Sequence, residues 1–501
     1  MKYFSPVLSS LLILTLLALG AACGDPDPEA QQPDAGPADQ DASDASDVGD
    51  DADVDPDECL LPPSPTLGDT PLAAEWAEDA SYCGQPQFAL LDDPSMGDVV
   101  NFGTQRIITA GELNTLAEQF DEVTLPRELK YDSQVRVFTY LTQDRGEIIE
   151  ATALMAYPIT DDDPEFEPTA PVLSLHGTTG FSDHCAPSSM LEAQLLAAVL
   201  ASMGHTVVAP DFIGLKSMGD PTGFLHPYLV GQPTAIASLD SLRALYKMPE
   251  DKRGGHCYPH EYLSFGGSQG GHAALWIDRL STTYAPEFEP LGAVATVPPA
   301  DLATQATKAL QEMINATGNT IAFFGTAASW YGVEDRLDEV FNEPLDTLIP
   351  EVFAEGCSFG AITDDYEELE DVFTPEFLEQ VATGQGVPEP WRCMIEHNGL
   401  VTTDVERHGP FPESYGVQFI LGEDDELVDT PIERDSFAAL CEQGMPLSYL
   451  ECAGGPHGAT TAWAMPEFLD YLDERAQRLP LSADELCVLD APVVCQGTPD
   501  E

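Results

Sequence analysis

Apolar runs bounded by turn residues recur along the chain from about residue 100. "RIITAG", "QVRVFTYLTQ" and "IIEATALMAYP" have the composition and alternation of early antiparallel strands. Shorter buried-type runs follow at 170–177, 205–212, 262–267, 291–299, 417–425 and 446–454. Stretches of helical periodicity lie between several of them, at 189–204, 233–248, 271–282 and 465–479. Strand alternating with helix predicts an α/β fold: a mostly parallel central sheet flanked by helices. One interval breaks the rhythm. Residues 300–412 carry no clear strand, and include "LATQATKALQEMINATG" and "LEDVFTPEFLEQVATGQ". They are expected to form a mainly helical lid or cap insertion over the carboxyl ends of the strands, where open α/β sheets bind ligands.

The N-terminal part follows a different logic. Lys2, the run "LLILTLLALG" and the small residues before Cys23 predict a signal peptide over 1–22. "LGAAC" resembles a bacterial lipobox, which makes Cys23 the expected lipidation site and an N-terminal lipid anchor the expected membrane link. Residues 23–70 then read as this site plus an acidic linker. Its stretch 24–58 is almost wholly Asp, Ala, Pro, Gly, Ser and Gln, without the apolar content to fold. Residues 71–501 are the expected globular domain.

Charge and cysteine content narrow the setting. Against 87 acidic side chains stand 19 basic ones, a net charge of −68. Such a field repels nucleic acid, so no nucleic-acid partner is expected. Setting Cys23 aside, Cys59, Cys83, Cys185, Cys257, Cys357, Cys393, Cys441, Cys452, Cys487 and Cys495 remain, an even set that suggests disulfides in an exported chain. Cys487 with Cys495 and Cys441 with Cys452 are the nearest pairs to test. The expected location is the cell envelope, as an outer-membrane lipoprotein or otherwise secreted.

The candidate chemistry centres on "YLSFGGSQGGHAAL". Ser268 stands in a G-x-S-x-G pattern between a strand-like run and a helical stretch, the setting of a nucleophile elbow. A serine hydroxyl needs an adjacent base. His457, in "CAGGPHGATTAW", lies between the last strand and the last helix; His397, His408, His272, His205 and His226 are placed less well. The acid belongs near 425. The form G-x-x-D-x-x-V selects Asp425, with Asp424 as its rival. The Gln269 backbone N–H is the natural first oxyanion donor, and Thr178 or Thr179 in "LSLHGTTGFSDHCAPS" the second. "HCYPH" lacks a second ligand pair, so Cys257 reads as half of a disulfide and no metal site is expected. No phosphate loop or dinucleotide fingerprint occurs.

"HGTTGFSDHCAPS", "GHTVVAPDFIGL", "HPYLVGQPTAIASLDSLRAL" and "GGSQGGHAAL" together resemble the secretory-lipase branch of the α/β-hydrolases, over about residues 130–480 and in motif order. The resemblance implies an α/β-hydrolase fold with a helical lid before the acid-bearing strand, a Ser268–Asp425–His457 triad, and no cofactor. It implies esterase or lipase activity on acyl esters; the residues themselves add an acyl-enzyme on Ser268, the Thr178 and Gln269 backbone amides at the oxyanion, and a small-molecule or lipid ester as the expected substrate. A serine peptidase of the same fold, and a surface binding protein on a hydrolase shell, are the alternatives.

Overall fold

A computed structural model describes residues 61, 81–83, 85–86, 90–119, 127–358, 362, 366–384 and 386–499. The expected signal peptide, Cys23 and nearly all of the acidic linker lie outside the described residues.

Nine strands form one sheet: β1 Val99–Ile108, β2 Asp132–Asp144, β3 Glu147–Ile159, β4 Val172–Leu175, β5 Val207–Pro210, β6 Glu261–Gly267, β7 Glu289–Thr296, β8 Val417–Gly422 and β9 Leu447–Cys452. Their spatial order is β9-β8-β7-β6-β4-β5-β3-β2-β1. The strands from β9 to β5 run parallel, whereas β3, β2 and β1 are joined antiparallel. The short parallel strands are apolar on both faces because helices cover both faces. On one face lie α1 Gly231–Lys247 and α2 Gln269–Tyr284, around Trp276, Leu239 and Phe419. The opposite face carries helices Leu191–Ser202 and Met465–Ala476, around Val294, Phe265 and Phe468.

Between β7 and β8 the chain forms a helical layer with its own core. Its main helices are α3 Leu302–Ala309, α4 Ala316–Tyr331, α5 Leu345–Glu355, α6 Pro375–Ala382 and α7 Trp391–Asn398. Phe324, Ile349, Phe353, Phe377 and Trp391 are buried together there; each such side chain contributes about 1.5–3 kcal/mol relative to exposure. Helix α4 is buried on nearly all sides, and Trp330 Nε1–H at its end donates to Asp144 Oδ1 of β2 at 2.9 Å. No helix among the described residues is long and apolar enough to cross a membrane.

The disulfides correct the nearest-neighbour expectation. Cys441 pairs with Cys487 and Cys452 with Cys495, not Cys487 with Cys495 or Cys441 with Cys452. The reason is the path of the tail. It runs back along the sheet edge, where Cys487 N–H donates to Leu447 O and Val493 N–H to Glu451 O. Each tail cysteine therefore meets a body cysteine. Cys185–Cys357 and Cys83–Cys393 tie distant segments to the helical layer, and Cys257 is also disulfide-bonded.

Candidate active site

Ser268 sits at the junction of β6 and α2 with φ 57° and ψ −119°. A side chain in that region is strained by about 1–3 kcal/mol, so the surroundings must enforce it. They do so by close backbone approach. A Cβ on Gly266 would lie 2.3 Å from Gly270 O, and one on Gly270 would lie 2.1 Å from Leu175 O. Only glycine lets the strand turn this sharply into the helix. Ser268 N–H donates to Thr296 O at 2.9 Å, which fixes the turn to the neighbouring strand.

The acid and base loops leave the sheet side by side. Gly422 pairs with Cys452 at the ends of β8 and β9. Asp424 N–H then donates to Gly455 O at 3.1 Å. This contact holds the loop after β8 against the one leading into helix α9, His457–Trp463 (α8 being Thr430–Glu442). The Oγ1 atoms of Thr461 and Thr296 are hydrogen-bonded at 2.6 Å, which pins α9 beside the elbow.

His457 consequently bridges the two other groups. Its Nε2 is 3.0 Å from Ser268 Oγ, and its Nδ1 is 2.8 Å from Asp425 Oδ2 and 3.0 Å from Oδ1. Asp425 Oδ1 also accepts from Leu427 N–H at 2.9 Å and Val428 N–H at 2.8 Å. The side chain of Asp425 is 1% exposed. With Nδ1–H donated to the carboxylate, Nε2 presents its lone pair to the serine hydroxyl. That arrangement can take a proton from Ser268 Oγ. Asp424, the rival acid, is exposed and engages Gly455 through its backbone.

Two of the rival histidines, His272 and His226, are engaged by other partners. His272 is buried and bonded to Asn398 O at 2.8 Å, and burial pulls it down to about 4. His226 is buried and pulled down to about 3 by desolvation. Its Nδ1–H donates to Ile213 O at 2.8 Å, which leaves Nε2 to accept from the Gln269 side-chain amide at 2.6 Å. No local pattern in the sequence marks this hold on Gln269, because His226 lies 43 residues away along the chain. The Gln269 N–H opens α2 and so has no acceptor within the helix.

The "HGTTG" loop comes up to the serine: a Cβ on Gly177 would lie 4.0 Å from Ser268 Cβ. Thr178 Oγ1 is 2.9 Å from Tyr228 OH. A cavity open to solvent has Ser268 in its wall; Tyr228, Leu229, Leu302, Phe323, Ile395 and Val428 are among its other lining residues. Helices α3, α4 and α7 thus supply much of its apolar wall. Polar groups there are mostly turned to one another. Gln305 Nε2 donates to Glu433 Oε1 at 2.9 Å and Gln305 Oε1 accepts from Asp429 N–H at 3.2 Å. Burial pushes the Glu433 carboxyl up to about 8.

Solved structures share this architecture. The rice cell wall degrading esterase LipA from Xanthomonas oryzae is 18% identical, with a TM-score of 0.61 over 77% of this chain and 98% of its own. Candida antarctica lipase A in its closed state is 14% identical, with a TM-score of 0.59 over 86% of this chain and 90% of its own. At these identities the likeness shows the fold, that of the α/β-hydrolases. No curated protein matches in sequence. The secretory lipase family matches over residues 187–483, more than half of the sequence. The chain belongs to the secretory lipase family, a family of carboxylic ester hydrolases.

Proposed function

We propose that this is an exported serine esterase or lipase whose nucleophile, base and acid are Ser268, His457 and Asp425. The observation that carries the reading is His457, held between Ser268 Oγ at 3.0 Å and Asp425 Oδ2 at 2.8 Å, with Ser268 in the wall of an apolar cavity. Ser268 Oγ attacks the ester carbonyl carbon while its proton passes to His457 Nε2. The tetrahedral oxyanion faces the Gln269 and Thr178 backbone amides. Collapse expels the alcohol, which takes the proton from His457. Water then attacks the acyl-enzyme by the same route in reverse and releases the acid. Asp425 holds the Nδ1–H tautomer and stabilises the imidazolium without becoming protonated.

The helical layer acts as a cap that supplies the acyl-side wall. The disulfides favour export to an oxidising compartment, with Cys23 as the lipid anchor there. A Cys23→Ser variant should leave the membrane fraction; retention there would contradict the anchor. For the chemistry, p-nitrophenyl esters of rising chain length and aminoacyl amides are compared on the same protein. Ester turnover that is lost in Ser268→Ala supports the reading. Amide turnover in preference to ester would favour a peptidase.

A further inference from the structure

Tyr228 stands where the oxyanion loop, the cap and the cavity meet. It precedes α1, is buried, and lines the cavity that has Ser268 in its wall. Its ring packs edge-on against Phe181, at the far end of the "HGTTG" loop, with centroids 5.3 Å apart. Its hydroxyl is 2.9 Å from Thr178 Oγ1 in the same loop. Two further bonds reach cap helix α4. Asn319 Nδ2 donates to the Tyr228 hydroxyl at 2.8 Å, and Tyr228 N–H donates to Thr326 Oγ1 at 3.2 Å.

The donor order follows from the chemistry of a phenol. An amide NH₂ can only donate, so Asn319 occupies the acceptor side of the Tyr228 oxygen. The phenol proton is then directed to Thr178 Oγ1. The relay runs from the cap, through Tyr228, to the side chain of Thr178, whose backbone N–H is the proposed second oxyanion donor. A free Thr178 would have rotamer and backbone freedom; a bonded one holds its amide in one direction. Oxyanion donors act by preorganisation, so this freedom bears on rate more than on substrate binding.

We infer that Tyr228 is a positioning residue that couples the cap helix Ala316–Tyr331 to the oxyanion site, by orienting Thr178 through its hydroxyl. The inference rests on the proposed ester hydrolysis at Ser268. Its observable consequence is a fall in kcat, without a matching rise in KM, when the hydroxyl alone is removed.

The test is a mutant cycle on a soluble p-nitrophenyl ester, with kcat, KM and thermal midpoint measured for each variant. Tyr228→Phe keeps the ring and its packing on Phe181. It should lower kcat by about 10- to 100-fold, part of the roughly 100- to 1,000-fold attached to a whole oxyanion donor, with KM and the midpoint nearly unchanged. Thr178→Val should produce a similar loss, and Thr178→Ser should recover most of it. The double variant Tyr228→Phe/Thr178→Val should be no slower than the slower single variant, because both remove one bond. Asn319→Ala should cost kcat about 2- to 10-fold, as expected for one neutral hydrogen bond. A Tyr228→Phe enzyme at full kcat, a loss confined to KM, or multiplicative effects in the double variant would overturn the inference. Ser268→Ala is run alongside. Turnover that survives it overturns both the catalytic reading and this one. Turnover lost in Ser268→Ala but intact in Tyr228→Phe overturns this one alone.

Discussion

Gly270 faces the carbonyl oxygen of Leu175 with no room for a methyl group: a Cβ at 270 would stand 2.1 Å from that oxygen. The obstacle is backbone, at the end of a central strand, so it cannot swing aside as a side chain would. Gly270→Ala should lower stability by about 1–3 kcal/mol or more, in the manner of an overpacked core, and should displace Ser268 from His457. Urea unfolding together with ester turnover checks this. A variant with wild-type stability and rate would contradict the account of the elbow.

Asp425 and Asp424 are adjacent in sequence and opposite in setting. Asp425→Asn should reduce kcat on the order of 10⁴-fold, since an amide favours the wrong imidazole tautomer. Asp424→Asn, on an exposed side chain, should leave the rate about unchanged. Equal losses in the two variants would remove the assignment of the acid.

Glu433 links pH to the wall of the cavity. Its carboxyl accepts from Ala300 N–H at 3.1 Å and Gln305 Nε2 at 2.9 Å, and burial raises it from an ordinary 4.5 to about 8. Between those values the folded chain holds a proton that the unfolded chain has lost. Unfolding free energy must therefore fall as pH rises through that window, with a slope of up to about 1.4 kcal/mol per pH unit from this group. Below about pH 4.5 both states are protonated and the contribution is flat. Glu433→Gln should flatten the difference between stability at about pH 5 and about pH 8, as read by chemical denaturation at each pH. An unaltered pH profile would contradict the burial argument.

Cys185–Cys357 joins the segment after the "HGTTG" loop to the end of α5, across a sequence separation of 172. Removing it in Cys185→Ser/Cys357→Ser should cost about 2–5 kcal/mol. Peptide mapping without reduction should recover Cys441–Cys487 and Cys452–Cys495. Cross-linked peptides joining Cys441 to Cys452 would contradict the described course of the tail.

How much of this was legible in the sequence depends on the range of the interactions. The run at 262–267 and the helix expected from 271 flank Ser268 much as observed, because glycine punctuation and apolar runs are local signals. The G-x-x-D-x-x-V form singled out the aspartate that His457 meets, and a local reason is visible. The carboxylate caps the turn that its own neighbours Leu427 and Val428 make. The cysteine pairing was not legible, since proximity along the chain says nothing of a tail that folds back along a sheet edge. Tyr228 lies within "HPYLVGQPTAIASLDSLRAL", a segment that carried the family resemblance without a role attached. Its partners Thr178, Asn319 and Thr326 come from two other parts of the chain. The hold of His226 on Gln269 was hidden for the same reason.

In the proposed reaction Ser268 Oγ, activated by His457, is the nucleophile. The most direct measurement of this role is labelling of the folded protein with a fluorophosphonate, followed by mass mapping of the modified peptide. One adduct is expected, on Ser268, with ester turnover lost in proportion to labelling and no adduct in Ser268→Ala. Folded protein that hydrolyses esters without labelling at Ser268, or that labels at another residue, would contradict it.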